Sequence, residues 1–164
     1  MVFQYHASLP WLTVSDNVAL ELSDNSSITV AKKTYVRSLL DLVGLASYSD
    51  CFPRELSGGM CQRVGMVRAL ASMPTLLLLD EPFSSLDAIT AEKLRYELKQ
   101  QWKTNKIPVK SMLMVTHNLD EALYLSDRII ILGGSPSTIN EIIDINEYPP
   151  GALPSFKKHL LNSF

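Results

Sequence analysis

"RELSGGMCQRVGMVRAL", Arg54 to Leu70, and "LLLLDEP", Leu76 to Pro82, decide how this chain is read. In the first stretch Ser57, Gly58 and Gly59 open an apolar-periodic segment. That order predicts a helix from about Gly58 to Ser72, which Pro74 prevents from continuing. N–H groups at a helix start favour an anion, and Gly lets it approach the backbone closely. Ser57 suits a helix cap or a hydroxyl donated to a phosphate oxygen, and an ordinary Ser-capped helix would use the same residues. The second stretch is a leucine run without alternation, which predicts a strand covered on both faces. It ends on Asp80 and Glu81. A carboxylate there suits a hydrated Mg²⁺, and a second beside it suits a general base acting on water. A strand end followed by a helix cap also accounts for both acids.

Outward from these stretches the chain alternates. Asp16 is the expected N-cap of a short helix after a loop holding Pro10 and Trp11. Val36, Leu39, Leu40 and Val43 recur at helical spacing up to a stop at Gly44. A further helix is expected from Asp87 or Ala88, with Ala91, Leu94, Leu98 and Trp102 on one stripe. "SMLMVT" reads as a second buried strand. Asn118 caps a short helix, with Glu121 three residues on as a capping-box variant. "RIIIL" is a third strand, Gly133-Gly134 a turn and "TINEIIDI" a fourth strand. The tail from about Asn146 holds Pro149, Pro150 and Pro154 and reads as loosely attached. Alternating strands and helices argue for an α/β domain with a mostly parallel sheet. Ligands of such sheets bind beyond the carboxyl ends of the strands, where Asp80, Glu81 and His117 are expected to share a rim.

The bulk numbers fit one ordinary globular domain: 164 residues, 46% hydrophobic, 20% charged. A net charge of -2 gives no basic nucleic-acid surface. Cys51 and Cys61 lack zinc-type spacing and read as packing residues of a reduced, cytosolic chain. No apolar run approaches the ~20 residues of a membrane helix, and the N-terminus lacks the basic start of a signal peptide. A membrane role would therefore be peripheral.

Read together, "VFQ", "LSGGM-QRV", "LLLLDEPFSSLD", "VTHNLDEAL" and "SDRIIIL" closely resemble the nucleotide-binding subunit of ABC transporters over nearly the whole chain. "VFQYHASLPWLTVSDNVAL" and "PPGALPSF" look most like the importer ATPases for nitrate, sulfonate or taurine. The resemblance implies a P-loop-NTPase-like α/β core with a helical subdomain, and a peripheral place on the cytoplasmic side of the membrane. It implies ATP and Mg²⁺ as cofactors. As partners it implies a transmembrane permease subunit, a second ATP-binding subunit and an extracytoplasmic solute-binding protein. Residues 1–14 would be the Q-loop segment, 15–72 the helical subdomain ending in the signature helix, 73–145 the core part, and 146–164 the tail. Gln4 would sense Mg²⁺ and water. Leu56, Ser57, Gly58, Gly59 and Met60, with Gln62, would reach ATP bound to the opposite subunit. Asp80 would hold Mg²⁺, Glu81 would be the catalytic base and His117 the switch histidine. Ser84, Ser85, Leu86 and Asp87 would form the D-loop at the dimer interface, where the family more often has Ala at the Ser85 position.

One part is missing. A P-loop needs G-x-x-x-x-G-K-[ST], and neither Gly58-Gly59 nor Gly133-Gly134 is followed by Lys-Ser or Lys-Thr. The family places that loop upstream of the Q-loop, so the chain is expected to lack the phosphate-binding Lys and to hydrolyse no ATP alone. A non-catalytic module that lends its signature to a partner, or an inactive gene remnant, is the alternative. A DNA-repair ATPase is disfavoured, because the roughly 50 residues between Gln4 and Leu56 carry no heptads for a coiled coil. Unpaired backbone groups in buried strands cost about 1–3 kcal/mol each, against a total stability of about 5–15 kcal/mol. Without the family's P-loop strand, this chain is expected to be marginally stable or aggregation-prone. A cooperative urea transition of ordinary stability would overturn that expectation.

Overall fold

The computed structural model describes residues 8–22, 30–104, 107 and 109–147. The chain divides into two compact units, Met1–Val115 and Thr116–Phe164.

In the first unit α1 spans Val14–Ala19, α2 Val30–Leu42 and α3 Gly58–Ala71; β1 spans Leu76–Asp80, α4 Ala88–Lys103 and β2 Ser111–Val115. Helix α1 is capped by Thr13, whose hydroxyl oxygen accepts from the Asp16 N–H. The expected cap, Asp16, instead sits in the first turn and accepts from the Thr13 hydroxyl at 2.7 Å. Both residue types cap helices, and the pair settles as a reciprocal one three residues apart. Helix α2 ends as expected at Gly44, which takes φ +68. Gly44 donates to Asp41 and Leu45 to Leu40, the paired bonds of a Schellman turn.

Helices α1, α2 and α3 pack on one another, and α2 also meets α4. Their core holds Val18, Leu40, Leu45, Val64, Val67 and Leu70. Two polar ties orient α3. Arg63 donates to the Val43 carbonyl at 2.7 Å, and Arg68 pairs with Glu21 at 2.7 Å. The α4 stripe is buried at Ala91, Leu94 and Leu98 and half-buried at Trp102.

Strands β1 and β2 are parallel, with Leu76 opposite Ser111 and Asp80 opposite Val115. Neither is covered on both faces. In β1, Leu77 and Leu79 are buried while Leu76 is exposed and Leu78 is intermediate. In β2, Met112 and Met114 are half-buried, and Leu113 and Val115 are 54% and 56% exposed. A continuous apolar run records a preference for cover, and in each of these strands one face is the less covered.

The second unit holds α5, Leu119–Leu125, and an antiparallel pair, β3 Arg128–Gly133 and β4 Thr138–Asp144. Among the described residues the sheet elements are therefore one parallel and one antiparallel pair. The turn begins one residue later than expected, because Gly133 still belongs to β3. The register shifts after Ile131, and a Cβ at Gly133 would land on the Asn140 side-chain amide. Ile131 and Ile143 form the core of this unit with Leu119, Leu123 and Ile129. The tail from 148 onward lies outside the described residues.

Leu77 is fully buried in β1. Leu77→Ala is expected to lower stability by about 2–5 kcal/mol, read as a shifted urea midpoint.

Candidate functional site

Ser57 is the N-cap of α3. Its hydroxyl oxygen accepts from the Met60 N–H at 3.3 Å, and its carbonyl accepts from Cys61 at 2.9 Å. A hydroxyl that accepts still has its proton to donate, so capping and phosphate contact are compatible at Ser57. Upstream, Pro53–Glu55 forms a single tight turn closed by the Leu56 N–H on the Pro53 carbonyl. Ser57 and Gly58 are exposed; Leu56, Gly59 and Met60 are partly buried.

Gly59 is required for a close approach. A Cβ there would stand 2.9 Å from Leu86 Cδ2 and 3.1 Å from the Ser85 carbonyl oxygen. Three residues on, and so on the same helix face, Gln62 points at the same turn. Gln62 was grouped above with the ATP-contacting residues, but its side chain turns inward and is 2% exposed. Its Nε2 donates to the Glu81 carbonyl at 2.8 Å. Its Oε1 accepts from the Ser85 N–H at 3.2 Å and from the Ser85 hydroxyl.

That turn follows Asp80, the last residue of β1. Glu81 has φ +46, a left-handed conformation that costs a non-glycine residue roughly 1–2 kcal/mol. Several bonds hold it. The Glu81 N–H donates to the Val115 carbonyl at 2.9 Å, and the Glu81 carbonyl also accepts from the Ser84 hydroxyl at 3.0 Å. Asp80 and Glu81 are both partly buried. Among the described residues no three His, Cys, Asp or Glu side chains gather into a metal cage. One strand-end carboxylate with a second beside it fits Mg²⁺, which takes few protein ligands and keeps water or phosphate oxygens.

Each residue from Ser84 to Asp87 has a task inside the chain. Ser84 and Ser85 hold the turn, Leu86 faces Gly59, and Asp87 caps α4 by accepting from the Thr90 N–H at 3.0 Å. That bond holds the exposed Asp87 carboxyl below its ordinary value of 3.8. Burial pulls the Arg63 guanidinium below its ordinary value, with Asp87 acting the other way.

His117 belongs to the second unit and is exposed. Its two neighbours are anchored. The Thr116 hydroxyl donates to Glu121 Oε2 at 2.7 Å, and Asn118 Nδ2 donates to Glu121 Oε1 at 3.4 Å. Asn118 caps α5 as expected, accepting from Asp120 and Glu121. The capping box differs: the Asn118 N–H goes to the Thr116 hydroxyl at 3.0 Å, and Glu121 takes side-chain donors instead. Glu121 is 5% exposed. Gln4 lies outside the described residues.

Comparison with known proteins yields a consistent group. A family model described as ABC transporter matches residues 1–84. An aliphatic sulfonates import ATP-binding protein, SsuB, of Bacillus thuringiensis subsp. konkukian is 42% identical over 149 residues, covering 90% of this chain and 57% of the relative. A second SsuB, from Pseudomonas savastanoi pv. phaseolicola, is 44% identical and covers 91% of this chain and 60% of the relative. The chain thus spans somewhat over half the length of these curated relatives. Among solved structures, a dimeric post-hydrolysis state of the ATP-binding cassette MJ0796, bound to ADP and Pi, superposes with a TM-score of 0.77 at 30% identity. That match covers 88% of this chain and 61% of the other.

The Asp87 cap carries a pH signature. A carboxyl held below its ordinary value adds stability that is complete above that value and lost as pH falls through the lowered one. The stability gap between the wild type and Asp87→Ala should therefore be full at about pH 6 and narrow as pH falls below about 4, while Asp87→Asn, which keeps the acceptor oxygen, should flatten that dependence. Thermal melting of the three proteins across this range checks it.

Proposed function

Because this chain belongs to the ABC transporter family, we propose that it carries the signature and hydrolytic half of an importer's ATP-binding subunit. The observation that carries this reading is the joining of the α3 start to the turn after Asp80, through Gly59 and Gln62. A phosphate-favouring helix end and a pair of carboxylates thereby belong to one body.

In this proposal ATP bound by a second subunit meets Ser57, Gly58, Gly59 and Met60. The Ser57 hydroxyl and the N–H groups at the start of α3 donate to γ-phosphate oxygens. On ATP held by this chain's own subunit, Glu81 accepts a proton from the water that attacks the γ-phosphorus in line, as ADP leaves. The His117 side chain donates to the phosphoryl oxygens. Asp80, with Gln4, would hold Mg²⁺, which when bound neutralises charge on the β- and γ-oxygens. Ser84 to Asp87 face the second subunit. The helical part, residues 15–72, docks a permease subunit, and an extracytoplasmic solute-binding protein completes the complex. The subunit is peripheral, on the cytoplasmic side of the membrane. No helix among the described residues is long and apolar enough to cross a membrane.

The solute in this proposal is a small oxyanion, of the alkanesulfonate, taurine or nitrate class. The names of the sulfonate-import relatives support the sulfonate member of that class. Residues 1–164 contain no G-x-x-x-x-G-K-[ST] cradle, so this stretch alone is proposed to be inactive. The second reading, a non-catalytic module that lends its signature to an intact subunit, is supported by the exposed Ser57 and Gly58 at the start of α3.

Two measurements test these readings. Residues 1–164 alone are expected to show no Mg²⁺-ATPase activity above background, and activity that disappears in Glu81→Gln would overturn the missing-cradle argument. Mixed with an intact sulfonate-import subunit and saturating Mg-ATP, the chain is expected to associate, and Ser57→Arg to abolish association. No association of the wild type in an ultracentrifuge would overturn the proposed signature contact.

A further inference from the structure

We propose that Gln62 is a positioning residue for Glu81: its side-chain amide clamps the Glu81–Ser85 turn and so aims the Glu81 carboxylate. This rests on the reading of Glu81 as the base. Gln62 has a long side chain on a helix, yet it is among the most buried polar groups of the described residues. Burying an amide without partners is costly, and here the partners account for the burial. They lie at the two ends of one five-residue turn. The Glu81 carbonyl accepts from Nε2, and the Ser85 N–H donates to Oε1. Both partners are backbone groups, so the amide can face only one way. A carbonyl takes the NH₂, and an N–H takes the oxygen.

Glu81 has a local reason to need holding. Its φ of +46 is sparsely populated for a side-chain-bearing residue, and such residues persist only where their surroundings over-determine them. Rotating Glu81 back to ordinary backbone would swing its carbonyl and its carboxylate together. Its carbonyl is gripped by Ser84 from within the turn and by Gln62 from another element, 19 residues away in sequence. Gln62 is thus the side chain that ties the Glu81 conformation to α3. Gly59 lets the two segments approach closely enough for the bonds to form.

The test uses the full-length subunit in its assembled transporter, with two variants. Gln62→Met keeps length and volume and removes both the donor and the acceptor. Gln62→Glu keeps the acceptor for Ser85 and, assayed at a pH where the new carboxyl is ionised, loses the donor to Glu81. Amide exchange at Ser85 is expected to accelerate at least about tenfold in Gln62→Met and to stay protected in Gln62→Glu. Both variants are expected to lower kcat for Mg-ATP by up to about 100-fold, with KM unchanged. In a Glu81→Ala background, Gln62→Met should remove nothing further from the residual rate. A packing role alone would not spare Ser85 in one variant while both lose kcat. A raised KM at constant kcat would overturn the proposal by placing Gln62 on the nucleotide, as would unchanged Ser85 exchange or full additivity with Glu81→Ala. If the wild-type transporter hydrolyses no ATP, the functional reading fails, and Ser85 exchange alone then decides whether the clamp exists.

Discussion

The buried Gln62 amide is the constraint on which the arrangement of the first unit's site depends. Two hydrogen bonds to backbone fix both the register of α3 and its distance from the turn after β1. An apolar side chain at position 62 would allow α3 to slide, since dispersion contacts have little direction. An amide does not, because its donor meets the Glu81 carbonyl and its acceptor meets the N–H and hydroxyl of Ser85. With that register set, Gly59 lies against Leu86, and Ser57 closes the exposed end of the same helix. The anion-favouring helix start and the strand-end carboxylates are therefore held as one body by a buried side chain.

The parallel pairing of β1 with β2 completes this constraint from the other side. Asp80 stands opposite Val115, so the Val115 carbonyl receives the Glu81 N–H just beyond the ladder. Glu81 is then held at both its N–H and its carbonyl. A backbone fixed at both ends can keep an unfavourable φ, and the carboxylate it carries has a narrow range of directions. Such strain at a candidate catalytic base is the expected signature of a group built for aim rather than for stability.

Much of this was legible before the structure, and the legible part was local. The start of α3 at Gly58, the Asn118 cap, the α4 stripe and the stop at Gly44 depend on neighbours within four residues, and each appears where the spacing put it. The misreadings concern what lies across space. Leucines 76 to 79 read as a strand covered twice, but apolar chemistry does not say what covers it, and Leu76 is exposed. Thr13 and Asp16 are both capping residues, so the pattern alone could not choose between them. Gln62 carries no local sign of its inward turn, because its partners lie 19 and 23 residues further along. The left-handed Glu81 is hidden for a similar reason: glutamate gives no hint of positive φ, and only long-range bonds enforce it.

The second unit solves the same problem with different chemistry. There the segment around His117 is fixed by Glu121, a buried carboxylate rather than an amide. The difference follows from the partners. Glu121 faces two donors, the Thr116 hydroxyl and the Asn118 amide, so a group that only accepts suits it. Gln62 faces a carbonyl and an N–H, so only a group that both donates and accepts can serve. In each unit a candidate phosphate-facing residue is exposed or partly exposed, while the residue that fixes its backbone is buried one helix away. Exposure suits a group that must reach a nucleotide, and burial strengthens the bonds that aim it. A loop that has to present polar groups to a charged ligand cannot be packed by apolar side chains on all sides, so its geometry is set by hydrogen bonds from behind.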